Sequence, residues 1–121
     1  MKNSFVRASA DRRQLEVIDA RTGITTSTRH AAATKIVQLF PLGENVVIRE
    51  DYYQFPRNSS NVYCVDGALN TVWMAELPHP TDVFANSVIQ AEGVLRCITW
   101  DGYTCDIDVN TGKLLKRSFT K

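Results

Sequence analysis

The sequence predicts an all-β fold of three successive antiparallel sheets with three, four and four strands. The first observation is a repeat, because an aspartate opens a similar turn in three segments, Asp19-x-x-Thr22-Gly23, Asp66-x-x-Leu69-Asn70 and Asp108-x-x-Thr111-Gly112. The second is that short alternating or β-branched apolar runs precede each turn, as in "LEVID", "VYCVD" and "YTCDID". Repeats of about 40 to 50 residues are typical of folds in which each repeat is one small sheet.

The repeated turns carry the residue types that a tight turn requires. The aspartate at the first position can accept hydrogen bonds from backbone N–H groups two or three residues later. The fifth residue is Gly23, Asn70 or Gly112, and these residue types enter the left-handed backbone conformation at low cost. We therefore interpret the three aspartates as turn-forming residues rather than catalytic ones.

Each repeat supplies the strands of one sheet, so that residues 1–121 form a single domain of three repeats. The first repeat, residues 4–30, contains "FVRA", "QLEVID" and "ITTSTRH", and no strand fits before Phe5. The second, residues 35–77, contains "IVQLF", "VVIRE", "VYCV" and "VWMAEL". The third, residues 84–120, contains "SVIQ", "VLRCITW", "YTCDID" and "KLLKRSF". The first sheet therefore lacks its first strand.

A two-residue turn at Asp101-Gly102 joins two of these strands. An Asp-Gly pair between β-type runs is a strong hairpin signal. This register places Cys97 opposite Asp106 and on the other face from Cys105, which predicts that the two cysteines do not bridge.

An alternative interpretation of residues 28–39 is a helix that Pro41 stops. The repeat favours a crossing loop at 30–35 followed by a strand at 36–40, and we adopt this interpretation.

The polarity of the strand faces predicts how the sheets stack. In the second repeat both faces of residues 62–65 are apolar. In the first repeat only the face of Leu15 and Val17 is apolar, and in the third only the face of Cys105 and Ile107. Because side chains alternate across a strand, the middle sheet is expected to lie between the other two.

The segment "VIQAEGVLRCITWDGYTCDIDVNTGKLL" resembles the repeat of quinoprotein-like (PQQ-type) β-propellers, and "RHAAATKIVQLFPLGENVVIRED" followed by "VYCVD" is similar to the opening of a WD40-type blade, with His30 in the place of that family's Gly-His histidine. The resemblance implies that the sheets are propeller-type blades and that the chain is an incomplete propeller of about three blades. We infer no quinone-binding site from the resemblance. The family's tryptophan that docks neighbouring blades would fall at Ser27, Met74 and Lys116, with Trp73 one position early.

Composition excludes several classes of function. The formal charge is +1, and the basic residues are scattered, so neither nucleic acid nor a membrane is an expected partner. No apolar run approaches the length of a signal peptide or a membrane span, which predicts a cytoplasmic protein. Three cysteines without a C-x-x-C spacing favour reduced thiols, and no metal site or cofactor is predicted.

The chain carries no enzyme signature. His30 and His79 lie in separate loops, and phosphate-binding, H-E-x-x-H and G-x-S-x-G motifs are missing from the sequence. The sequence therefore favours a non-catalytic binding or interaction protein. The alternative is a small-ligand sensor or an enzyme whose pocket forms at the axis of an assembled ring.

The long loop at residues 50–61 is the strongest candidate for a binding site. It contains Tyr52, Tyr53, Phe55 and Arg57, which are residue types enriched at binding hot spots. The competing interpretation is that the aromatic residues cover the edge of the sheet.

An incomplete propeller exposes a strand edge and two end faces. We expect a homo-oligomer in which two chains associate head to tail and complete a six-bladed ring. An open monomer is the alternative.

Overall fold

The computed structural model describes residues 3–119, in which eleven strands form three separate antiparallel sheets without any helix. We call these sheets blades 1, 2 and 3. Blade 1 contains β1 (Ser4–Ala8), β2 (Gln14–Asp19) and β3 (Thr25–His30). Blade 2 contains β4 (Ile36–Leu42), β5 (Asn45–Glu50), β6 (Val62–Val65) and β7 (Thr71–Met74). Blade 3 contains β8 (Ile89–Ala91), β9 (Val94–Ile98), β10 (Tyr103–Asp108) and β11 (Leu114–Phe119). The predicted fold class is confirmed, and the helical alternative for residues 28–39 is wrong.

A buried carboxylate explains why residues 31–35 form a loop. The side chain of Glu50 is fully buried and accepts hydrogen bonds from three successive backbone N–H groups, those of Ala32, Ala33 and Thr34, and from the hydroxyl of Tyr63. A helix would have to satisfy the same N–H groups internally. Glu50 satisfies them in a loop instead, which lets the chain cross from blade 1 to blade 2.

The strand registers define equivalent positions in the three blades. The pairs that contain the residue directly before each turn aspartate are Phe5–Ile18, Val46–Val65 and Leu95–Ile107. The next pairs, on what we call the front face, are Val6–Val17, Val47–Cys64 and Arg96–Asp106. The pairs after these, on the back face, are Arg7–Glu16, Ile48–Tyr63 and Cys97–Cys105.

Blade 2 is buried on both faces, as the sequence predicts. Its back face shares one buried cluster with the front face of blade 1, and its front face shares another with the back face of blade 3. The back face of blade 1 and the front face of blade 3 carry charged pairs at the equivalent positions. We call these two surfaces the end faces.

The hairpin between β9 and β10 differs from its prediction by one residue. The N–H of Thr99 donates to the carbonyl of Tyr103 at 2.9 Å, so the loop has three residues, 100–102, and Gly102 has a φ of +99°. Three-residue hairpin loops commonly end in a left-handed glycine, and Asp101-Gly102 is the end of such a loop rather than a complete two-residue turn.

This shift changes the position of a cysteine. A one-residue change in register moves every side chain to the other face. Cys97 consequently lies opposite Cys105 on the buried back face, and its predicted position opposite Asp106 is wrong. Both cysteines are free thiols.

The second repeated turn is one residue shorter than the other two. The N–H of Asp66 donates to the carbonyl of Asn70, and the left-handed residue is Leu69, with a φ of +68°, rather than the expected Asn70. Leu69 is buried in the cluster between blades 1 and 2, and its carbonyl accepts a hydrogen bond from Arg29 at 2.8 Å. Packing therefore offsets a strain of about 1 kcal/mol.

Trp73 docks blade 2 on blade 3 although it lies one position before the expected site. Its indole N–H donates to the carbonyl of Val109 at 3.0 Å. Its ring covers Gly112, where an added Cβ would lie 2.8 Å from Cε3 of Trp73 and 2.8 Å from the carbonyl oxygen of Met74. Gly112 has a φ of +75°, so this glycine satisfies both a backbone requirement and close packing.

Gly112→Ala should destabilise the protein more than Gly23→Ala. The two glycines have nearly the same φ, +75° and +73°, but nothing lies within 4 Å of a Cβ at Gly23. Backbone strain should cost about 1 kcal/mol in both variants, and the contact with Trp73 should add roughly 1–3 kcal/mol in Gly112→Ala only. Urea denaturation measures the difference, and equal losses would show that Trp73 does not hold blade 3.

Candidate functional site

The loops that could form a binding surface lie at one edge of the three blades, which we call the upper edge. Because neighbouring strands are antiparallel, the hairpin loops 9–13, 51–61 and 100–102 share this edge with the crossing segments 31–35 and 75–88. The loop of blade 2, residues 51–61, is the longest of the three hairpin loops.

The structure divides the predicted binding residues of this loop into packed and exposed side chains. The ring of Tyr52 is half-buried and stacks on Trp100, with ring centroids 5.4 Å apart and an angle of 29° between the planes. Phe55 is also half-buried, whereas Arg57 is exposed and Tyr53 is 68% exposed. Tyr53 and Arg57 therefore remain candidates for contact with a partner.

Trp100 is a surface aromatic that the sequence did not identify as a candidate. It is 59% exposed at the start of the three-residue loop of blade 3. The predicted two-residue turn placed Trp100 at the end of a strand. Its position beside Tyr52 follows from the three-residue loop, which was not predicted from the sequence. An aromatic residue directly before an Asp-Gly pair is the signal that could have indicated it.

Loop 51–61 is held at its second end. Asn61 is fully buried, and its side-chain amide donates to the carbonyls of Glu50 and Phe84 at 2.9 and 2.8 Å while its oxygen accepts the N–H of Phe84 at 3.0 Å. The N–H of Asn58 donates to the carbonyl of Pro80 at 2.9 Å. The loop is thus tied to the crossing segment 75–88 before any partner binds.

The turn residue Asp101 is held by a buried carboxylate. Asp82 is 4% exposed, and its Oδ1 accepts the N–H groups of Val83 and Asp101 at 2.8 and 3.2 Å. Its Oδ2 is buried and has no hydrogen-bond partner among residues 3–119. Asp82 thus fixes the blade 3 hairpin that carries Trp100.

The repeated aspartates serve as acceptors in their turns. Asp19 accepts the N–H of Arg21 at 2.8 Å, Asp66 accepts that of Ala68 at 2.9 Å, and Asp108 accepts that of Asn110 at 2.7 Å. The three aspartates therefore stabilise their own turns, as interpreted from the sequence.

The histidines and cysteines do not come together. His30 is exposed on β3, and His79 is exposed with its ring at the edge of Tyr103, 5.4 Å between centroids. Burial raises the pKa of Cys64 and Cys105 to about 11 and that of Cys97 to about 12, so these thiols stay protonated at neutral pH. In the described part of the chain no three His, Cys, Asp or Glu side chains are grouped as metal ligands.

Each end face carries an ion pair between neighbouring strands. On the back face of blade 1, Arg7 and Glu16 are 3.0 Å apart, and on the front face of blade 3, Arg96 and Asp106 are also 3.0 Å apart. Lys116 lies opposite Asp106 in the register of β10 and β11 and adds a further charge to the front face of blade 3. These charges stand where the two interfaces within the chain have apolar pairs.

Sequence comparison identifies the family. A family model described as "Domain of unknown function (DUF7957)" matches residues 24–119. The chain belongs to this family. The match includes β3 through β11, which are the last strand of blade 1 and all of blades 2 and 3. No curated protein matches the sequence.

Solved structures confirm the propeller-like fold of this DUF7957 chain. The computationally designed Ika4 protein is 18% identical with a TM-score of 0.71, over 100% of this chain and 69% of that one. The computationally designed Ika8 protein is 18% identical with a TM-score of 0.69, and BamB from Moraxella catarrhalis, a β-propeller, is 16% identical with a TM-score of 0.64. The chain covers 35% of the Ika8 chain and 33% of BamB, and is itself matched over 100% and 96% of its length. These similarities show blade architecture.

No helix among residues 3–119 has the length and hydrophobicity that a membrane crossing requires.

Alanine substitutions in the loop should separate packed from exposed side chains. Tyr52→Ala removes the stack on Trp100 and should lower the Tm by about 3 °C, whereas Tyr53→Ala and Arg57→Ala should leave it within about 1 °C. Thermal denaturation followed by circular dichroism measures all three variants. A large loss in Tyr53→Ala would show that this residue supports the fold and is not available to a partner.

Proposed function

We propose that this chain is a non-catalytic binding module that associates head to tail with a second copy through its end faces, and that two copies close a ring. The charge pattern of the end faces supports the proposal. It becomes complementary when two copies contact each other with the offset seen between neighbouring blades within the chain. The exposed loop residues at the upper edge then supply a surface for a further protein.

Contacts between blades within the chain are offset by one strand. Because blade 1 lacks a first strand, β1 occupies its second strand position. β1 contacts β4, which is the first strand of blade 2. In the same direction, Arg29 on the last strand of blade 1 lies over the ring of Tyr63 on the third strand of blade 2, at 5.5 Å. A strand of one blade therefore meets the preceding strand position of the next blade.

The same offset between two copies would bring opposite charges together. Applied to the front face of blade 3 and the back face of blade 1 in a second copy, it sets Asp106 opposite the partner's Arg7. It also sets Lys116 opposite the partner's Glu16. Both contacts unite a cation with a carboxylate, which favours the correct pairing of the faces.

Each end face also has an exposed apolar residue beside its charged pair. Phe5 on the back face of blade 1 is 49% exposed, and Ile89 on the front face of blade 3 is 58% exposed. Ile89 pairs directly with Arg96. A mixture of apolar and charged residues is typical of interfaces between proteins that are also stable apart.

Charge reversal tests this proposal. Wild-type protein should form a dimer at tens of micromolar, and Lys116→Glu should weaken the dimer by at least about tenfold because it faces Glu16 of the other copy. The double variant Lys116→Glu/Glu16→Lys should recover the dimer. Sedimentation velocity measures the mass and the dissociation constant.

The matched control is Lys35→Glu. Lys35 is exposed in the crossing segment 31–35 between blades 1 and 2, and it undergoes the same charge change away from both end faces. This variant should dimerise like wild type. A monomeric wild type, or an equal loss in both lysine variants, would refute the proposed pairing.

A further inference from the structure

The edge of β1 that faces away from β2, which we call its inner edge, has no partner strand in the described part of the chain. β1 pairs on one side with β2, and no strand within residues 3–119 pairs with its other side. Asn3 accepts the N–H of Ala20 and the N–H of Ser9 donates to Gln14, so the odd-numbered residues of β1 bond to β2. In an antiparallel pair these groups alternate, and the N–H and C=O groups of the even-numbered residues therefore face the open edge.

Blade 2 shows what normally occupies this position. Its inner strand, β4, pairs with β5, which is the equivalent of β1. Two side chains of β4 on the front face, those of Phe40 and Leu42, pack into the buried cluster between blades 2 and 3. An inner strand thus contributes both backbone hydrogen bonds and two large apolar side chains to the next interface.

A cavity marks the place of the corresponding side chains in blade 1. It has a volume of about 480 Å³ and lies between Ser4 and Val6 of β1 and Leu39, Pro41 and Val46 of blade 2. Cavities of this size accommodate small ligands or several side chains. The front face of a missing inner strand would project into it.

The mouth of the cavity is acidic. Glu44 and Asp66 line it, next to Gly67. Backbone hydrogen bonds from Asn70 and Ala68 lower the pKa of Asp66, so this carboxylate is charged at neutral pH. Both acidic residues lie near the Ser4 end of β1, which is the end that an antiparallel inner strand would reach last.

We propose that an extended peptide segment of a different protein pairs with β1 as the inner strand of blade 1, placing two large apolar side chains, two residues apart, in the cavity and a basic residue beside Glu44 and Asp66. The backbone of β1 supplies the affinity common to all extended peptides, and the cavity and its acidic mouth supply the preference for sequence.

The charge at the mouth distinguishes this partner from a second copy. The chain's own inner strands are followed by acidic residues, Glu44 after β4 and Glu92 after β8. A strand of either sequence would bring a carboxylate to an acidic mouth. A peptide with a basic residue after its apolar pair suits the site better.

A labelled peptide tests the proposal directly. The probe has the β4 sequence IVQLFPL followed by two lysines, and fluorescence anisotropy should show saturable binding. A peptide with serine in place of the phenylalanine and the last leucine, or with glutamates in place of the lysines, should bind at least about tenfold more weakly. No binding of the probe up to roughly millimolar concentration, or equal binding of the serine peptide, would overturn the proposal.

Two neighbouring substitutions locate the site. Gly67 lines the cavity, a Cβ added to it would meet nothing within 4 Å, and its φ is not positive, so Gly67→Trp should block the cavity without strain. Ala68 is exposed in the same turn and does not line the cavity, which makes Ala68→Trp the matched control. The first should weaken probe binding at least about tenfold and the second should not. Equal effects would place the peptide elsewhere.

The proposal is independent of self-association. Lys116→Glu protein should bind the probe like wild type, whatever its oligomeric state. If Gly67→Trp instead converts a dimer into a monomer, the occupant of the edge is a second copy, and the assignment to a different protein is overturned.

Discussion

The constraint that shapes this molecule is that every blade has two faces but only the middle blade has neighbours on both. At the same front-face position, blades 1, 2 and 3 carry Val6–Val17, Val47–Cys64 and Arg96–Asp106. On the back face they carry Arg7–Glu16, Ile48–Tyr63 and Cys97–Cys105. Residue type at each position thus follows the neighbour that covers it, since a buried charge without compensation is costly.

Glu50 is the exception to this rule, because it is an ionisable residue and fully buried. Three backbone N–H groups and one hydroxyl donate to its carboxyl oxygens, and these hydrogen bonds offset the cost of burying a polar group. Burial, followed by the hydrogen bond to Glu50, raises the pKa of Tyr63 and keeps the phenol protonated as a donor. Glu50 thus joins the crossing loop to blade 2.

Much of the architecture could be predicted from the sequence because repetition and alternation are local signals. The aspartate turns indicated the number of repeats, and the apolar faces of Leu15 and of residues 62–65 indicated the order of stacking. What the sequence missed depends on contacts between distant residues. A single additional loop residue placed Cys97 opposite Cys105, and the burial of Leu69 placed the left-handed conformation one residue before Asn70.

In the candidate sites, too, some features could be predicted from local sequence and others depend on contacts between distant residues. The aromatic loop was visible as a long insertion, but the pairing of Tyr52 with Trp100 required the correct hairpin register. The cavity beside β1 was visible only as a missing strand, and its lining comes from two blades. Trp73 docks on blade 3 although it stands one position early, because the docking contact depends on Gly112 in a different repeat.

Amide hydrogen exchange at low and high protein concentration tests most directly whether burial of the faces governs this structure. We predict the strongest protection in β5 and β6 at both concentrations. We also predict that protection of β1, β2, β10 and β11 rises with concentration as the end faces become covered. Protection of β2 and β10 equal to that of β6 at the lowest concentration, with no dependence on concentration, would contradict this view of the fold.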